Sequence, residues 1–120
     1  MKKIFTLSTC STSKKILEST GILDHNFEIQ DIKTKSISNE DLDKMKELSG
    51  SYESLFSRRA QKYKSLNLKD QNLNEDDFRN YIHNEYTFLK RPVIIDGETI
   101  FIGNSKKNIE ALKMHISRTK

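Results

Sequence analysis

The sequence predicts a single α/β domain built on a mixed four-stranded sheet, and three observations carry that prediction. Apolar patterns alternate along the chain as strand, helix, strand, then a helical stretch, then strand, strand, helix. Val93-Ile94-Ile95, an Asp96-Gly97 turn and Ile100-Phe101-Ile102 form the clearest hairpin signal in the chain. The 120 residues suffice for one core and leave no room for a second domain of ordinary size.

Each element has its own local reason. Ile4 to Leu7 is a short apolar run that reads as a buried strand, followed by a Ser/Thr-rich turn. Lys14 to Thr20 reads as a helix with Ile16 and Leu17 inward, and Gly21 stops it. Phe27 and Ile29, with Ile32, supply a second strand at period two. Ser38-Asn39-Glu40-Asp41 is a helix start, Leu42, Met45 and Leu48 recur at helical spacing, and Gly50 closes the run. Leu55, Phe56, Tyr63 and Leu66 sit among bases in one or two short helices between 52 and 68. Asn74-Glu75-Asp76-Asp77 starts another helix, with Phe78, Tyr81 and Ile82 inward. After the hairpin, Asn104-Ser105 precedes a last helix with Ile109, Leu112 and Ile116 on one stripe. A βαβ half and a ββα half on one sheet make a thioredoxin-like arrangement, with a helical insertion over about residues 38–84.

Composition narrows the function classes. Apolar residues make up 34% and charged residues 32%, so the core is small, yet six Phe and four Tyr exclude a disordered chain. One Cys cannot form an internal disulfide or a cysteine cage, which excludes a disulfide-stapled mini-protein. No stretch approaches the roughly 20 apolar residues of a membrane span, and the apolar run after Lys2-Lys3 is too short for a signal peptide. A cytoplasmic location is therefore expected, where Cys10 is a free thiol. The net charge of +4 is interspersed rather than blocked. Lys62, Lys64, Lys90, Lys106 and Lys107 are not organised by any aromatic-basic motif, so no direct nucleic-acid contact is expected. His25, His83 and His115 have no i, i+4 partner or nearby thiol, so they read as surface or helix-end residues and no metal site is expected.

Cys10 is the chemically loaded position, because it falls between the first strand and the first helix. Helix-starting N–H groups lack intrahelical partners and carry partial positive charge. A thiolate placed there is stabilised, and the N–H groups also welcome an oxyanion. Ser11, Thr12 and Ser13 add hydroxyl donors, and Lys14 and Lys15 add positive field.

Three segments carry a family resemblance that covers nearly the whole chain. Phe5 to Leu17, FTLSTCSTSKKIL, contains Cys-x-Thr-Ser-Lys and resembles the active-site loop of the glutaredoxin-dependent arsenate reductase (ArsC) family, which has Cys-x-Thr-Ser-Arg. Phe56 to Leu68, FSRRAQKYKSLNL, resembles the central helical segment of the related Spx regulators. Leu89 to Gly103, LKRPVIIDGETIFIG, resembles the family's Arg-Pro strand pair. The resemblance implies a catalytic Cys10, a cis peptide before Pro92, and an oxyanion-binding Arg91, with Thr12 and Ser13 in the loop that holds the anion or thiolate. Arg59 or its neighbour Arg58 falls where the family places a second arginine. Read against Spx, Arg59 matches; read against the arsenate reductases, Ser57 takes the arginine position.

The chain also departs from the pattern. Thr6 stands where the reductases usually have a His, Gly103 replaces a third arginine, and Ser13 occupies the second-Cys position of Spx. One thiol cannot resolve its own adduct, so no cofactor is expected to be bound and glutathione or a glutaredoxin is implied as external reductant. The resemblance thus implies a single-cysteine oxidoreductase acting on a small oxyanion such as arsenate or on a glutathione mixed disulfide. Its alternative is an Spx-like regulatory protein that binds the RNA polymerase α subunit without catalysis.

Overall fold

The computed structural model describes residues 1–118, which fall into two compact units: Met1–Lys35 with the chain from Arg91 onward, and Ser36–Lys90. The first unit holds a four-stranded sheet among the described residues. Its strands are β1 (Lys2–Thr6), β2 (Glu28–Asp31), β3 (Val93–Asp96) and β4 (Thr99–Ile102), in the order β2-β1-β3-β4. β1 pairs in parallel with β2 and antiparallel with β3, and β3 pairs antiparallel with β4, so the sheet is mixed. α1 (Ser11–Ser19) makes the crossover that a parallel pair requires, and α5 (Lys106–Arg118) follows the hairpin.

Register explains the core. Ile4 pairs with Ile94, and Ile94 with Phe101, giving one apolar row across three strands. That row packs with Ile16 and Leu17 of α1 and with Leu112 and Ile116 of α5. Ile16 and Leu17, with buried Ser13, occupy the i, i+3, i+4 positions of one helix face.

β2 corrects one expectation. The strand read over Phe27, Ile29 and Ile32 is shorter, Glu28–Asp31, and Ile29 is 53% exposed while Gln30 and Ile32 are buried. Ile29 is paired with Ile4 and extends the same row, but β2 is the edge strand and Ile29 falls outside the packed cluster. Gln30 tolerates burial because its amide donates to Lys35 O at 2.9 Å. The hairpin turn is also shifted by one residue: Asp96 stays in β3, opposite Thr99, and Gly97-Glu98 makes the two-residue loop.

The second unit contains α2 (Asn39–Ser49), the short α3 (Gln61–Ser65) and α4 (Glu75–Asn84), with 3-10 turns between. Ser38 caps α2 by accepting the Asp41 N–H, and Gly50 ends it with φ +98°, in the left-handed region that favours glycine. Asn74 and Asp77 form a reciprocal capping box on α4. The unit is organised around Phe56, whose ring lies 4.9 Å from Phe78 and 5.0 Å from Phe88. Leu66, grouped with the apolar residues of this segment, is exposed, and Leu68 is buried instead. Among the described residues no helix is long and apolar enough to cross a membrane.

Candidate active site

The cysteine loop is built by three backbone contacts. β1 ends at Thr6, whose carbonyl accepts the Ile32 N–H at 2.9 Å. The chain then turns back so that the Cys10 N–H donates to Leu7 O at 2.9 Å, and Cys10 O accepts the first helical N–H, from Lys14, at 3.1 Å. Cys10 is thereby the N-cap of α1, in an extended conformation with φ −92° and ψ 106°. The helix accordingly begins at Ser11, three residues earlier than the apolar pattern indicated.

Around Sγ the contacts favour the anion. Ser13, fully buried at the third position of the helix, donates from Oγ to Cys10 Sγ at 3.4 Å. Sγ accepts no geometrically complete capping bond, but the Ser13 N–H lies close enough for its dipole to act. Partial desolvation is the largest single influence and pushes the thiol up. The Ser13 hydroxyl and N–H, followed by the charge and hydrogen bonding of Arg91, together outweigh it and hold the thiol below its ordinary value.

Arg91 is half-buried at the start of β3, and a cis peptide joins it to Pro92. Pro92 is buried, and its carbonyl accepts the Gly103 N–H at 2.9 Å, which ties the start of β3 to the end of β4. Arg91 Nη1 is buried without a hydrogen-bond partner. A buried guanidinium nitrogen left unpaired is costly unless an acceptor arrives, and it presents a donor for a planar or tetrahedral anion.

Cys10, Ser13, Arg91 and Pro92 therefore all belong to the first unit, with Ser13 and Arg91 acting on the Cys10 thiol. Thr12 is exposed on the first turn of α1. Arg59 belongs to the second unit, where it is exposed and forms no ion pair among the described residues. Arg58 is committed structurally: Nη2 bonds Glu53 Oε2 at 2.8 Å and the guanidinium lies over Phe56 and Phe78.

Two contacts had no local signal in the sequence. Ser8 Oγ donates to Asp31 Oδ2 at 2.5 Å across 23 positions. His115, expected to be a bland helix-end residue, has Nε2 2.7 Å from Asp96 Oδ2 and packs its ring against Phe101. Among the described residues no group of three or more His, Cys, Asp or Glu side chains is placed to hold a metal ion.

A mixed sheet with a free thiol at the first helix N-terminus and a cis-proline before the third strand defines a thioredoxin-like α/β protein. Residues 5–112 match the ArsC family model. The chain is 31% identical over 107 residues to the uncharacterized protein YusI of Bacillus subtilis (strain 168), covering 85% of this chain and 86% of that protein. The chain belongs to the ArsC family. Its fold is similar to an arsenate reductase from Vibrio cholerae, with a TM-score of 0.76 at 18% identity over 92% of this chain and 96% of that one. It is also similar to an arsenate reductase (ArsC) related protein from Brucella melitensis, with a TM-score of 0.70 at 20% identity over 92% of each chain. At such identities these two structures speak to the fold alone.

Proposed function

We propose that the chain is a single-cysteine thiol oxidoreductase in which the Cys10 thiolate attacks arsenate or a glutathione mixed disulfide, with an external thiol resolving the adduct. One observation carries this reading: a thiol drawn toward its thiolate, influenced by an arginine whose buried Nη1 has no hydrogen-bond partner. Membership of the ArsC family supports thiol-oxidoreductase chemistry in general terms.

The electron count specifies the co-reactant. Reducing arsenate to arsenite takes two electrons and two protons and releases one water, and two thiols become one disulfide. Cys10 supplies one thiol, so glutathione supplies the other. The resulting mixed disulfide is opened by a further glutathione or by a glutaredoxin, and Cys10 leaves as thiolate. In this scheme Ser13 holds the thiolate, Arg91 balances the oxyanion, and Thr12 adds a hydroxyl on the open side of the loop. Arg59, on the second unit, is the other arginine that this reading assigns to the oxyanion. The reading places the protein in a reducing compartment such as the cytoplasm.

Gly103 favours a second reading. It leaves the chain without the third arginine of the family pattern, as suits an Spx-like protein that docks on the RNA polymerase α subunit without catalysis. The deciding experiment measures the Cys10 pKa and assays arsenate and mixed-disulfide reduction with glutathione and glutaredoxin. Turnover that disappears in Cys10→Ser supports the enzyme. An ordinary thiol with no turnover on either substrate overturns it, and capture of the α subunit by that inactive protein then favours the regulator.

A further inference from the structure

We propose that Asp31 is a positioning residue for the Cys10 thiolate and acts through Ser8. The inference rests on the reading of Cys10 as the reactive group, and it assigns the alignment of that group to a carboxylate on the neighbouring strand.

The Asp31 carboxylate is divided between two tasks. Oδ1 accepts the Lys33 N–H at 3.0 Å, and Oδ2 accepts the Ser8 hydroxyl at 2.5 Å. The backbone behind it is fixed as well: Asp31 O accepts the Lys35 N–H at 3.0 Å, and Asp31 pairs with Thr6 in the parallel register of β1 and β2. With one oxygen held by its own turn, the other cannot swing away from Ser8. A hydroxyl donating to a carboxylate at this distance is among the stronger hydrogen bonds available to a side chain.

Ser8 lies inside the turn that ends at Cys10. The turn runs from Leu7 to Cys10 and is closed by the Cys10 N–H on Leu7 O, so Ser8 and Thr9 are its two central residues. Both are exposed, and no packing immobilises them. The Asp31 contact supplies the restraint that packing does not. The turn sets how Cys10 enters α1, and so where Sγ stands between the Ser13 hydroxyl on that helix and Arg91 at the start of β3. A looser turn lets Sγ leave their field, and the thiolate loses stabilisation.

The test separates alignment from charge by measuring the Cys10 pKa from the pH dependence of alkylation. Ser8→Ala removes the contact and leaves the Asp31 charge in place; the Cys10 pKa is expected to rise by about half a unit, which leaves roughly threefold less thiolate on the acid side. Asp31→Asn removes the charge but not the contact: its single amide oxygen still accepts the Lys33 N–H, and its NH2 can donate to the Ser8 hydroxyl, so it is expected to produce no rise. Adding Asp31→Ala to Ser8→Ala is expected to raise the pKa no further, because both changes break one contact. A depressed pKa that survives Ser8→Ala overturns the inference alone, as does a rise in Asp31→Asn equal to that in Ser8→Ala. An ordinary Cys10 pKa in the unaltered protein overturns the site reading and the inference together.

Discussion

The Ser13 hydroxyl donates to Cys10 Sγ at 3.4 Å from the third position of the helix that Cys10 caps. Ser13 contributes no apolar surface for its complete burial, so its place in the helix face is accounted for by this bond. Ser13→Ala is expected to raise the Cys10 pKa and to slow alkylation most at low pH, where the thiolate fraction is smallest. Identical rate profiles for the two proteins would show that the hydroxyl does not act on the thiol.

The same depression makes stability depend on pH. Cys10 titrates lower in the folded chain than the roughly 8.5 of a free cysteine, so its thiolate adds stability that is complete above that unfolded value. That contribution fades as pH falls through the folded value. Thermal unfolding of the native chain and of Cys10→Ser, compared across this window, is expected to show a gap that widens as pH rises. A gap that narrows would reverse the sign of the linkage.

Arg91 has two separable effects. Arg91→Ala is expected to raise the Cys10 pKa and to abolish protection of Cys10 against alkylation by arsenate or phosphate. Arg91→Lys keeps a charge but loses the planar pair of donors, so it should restore part of the pKa effect and little of the protection. Full protection in Arg91→Ala would place the anion elsewhere.

Gly103 resists conversion to the family's arginine. Its φ of +85° lies in the left-handed region, and its N–H is committed to Pro92 O. Gly103→Arg is expected to cost about 1–2 kcal/mol of stability, read as a lower denaturant midpoint at unchanged slope. An unchanged midpoint would mean that the β4 end accepts a side chain without strain.

What the sequence disclosed was mostly local. Asn74 with Asp77, Ser38 and Gly50 mark helix ends through contacts a few residues long, and the structure places the helix boundaries there. Cys10 was recognisable because a strand, a polar turn and a helix follow each other within a few positions. The exposure of Ile29 is not legible in the sequence, because alternation shows which residues share a face and not whether an edge strand is covered. Arg58 and Arg59 could not be told apart by spacing; the aromatic cluster and Glu53 that hold Arg58 exist only in the folded unit. Ser8 with Asp31, and Asp96 with His115, join positions 23 and 19 residues apart through side chains, and no period in the sequence encodes them.

The antiparallel register of β1 and β3 has a consequence for how sites of this kind can diversify. Phe5 lies opposite Val93, so the strand that leads into Cys10 ends beside the strand that Arg91 introduces. The spacing of sulfur and guanidinium therefore starts from a ladder of main-chain hydrogen bonds, with one short turn between the end of β1 and the sulfur. A slip that kept the same faces buried would move Arg91 by two residues, about 7 Å along the strand. Insertions elsewhere can lengthen or reshape the chain without changing that spacing, so residues around Cys10 and Arg91 can vary while the two strands keep both at the same end of the sheet.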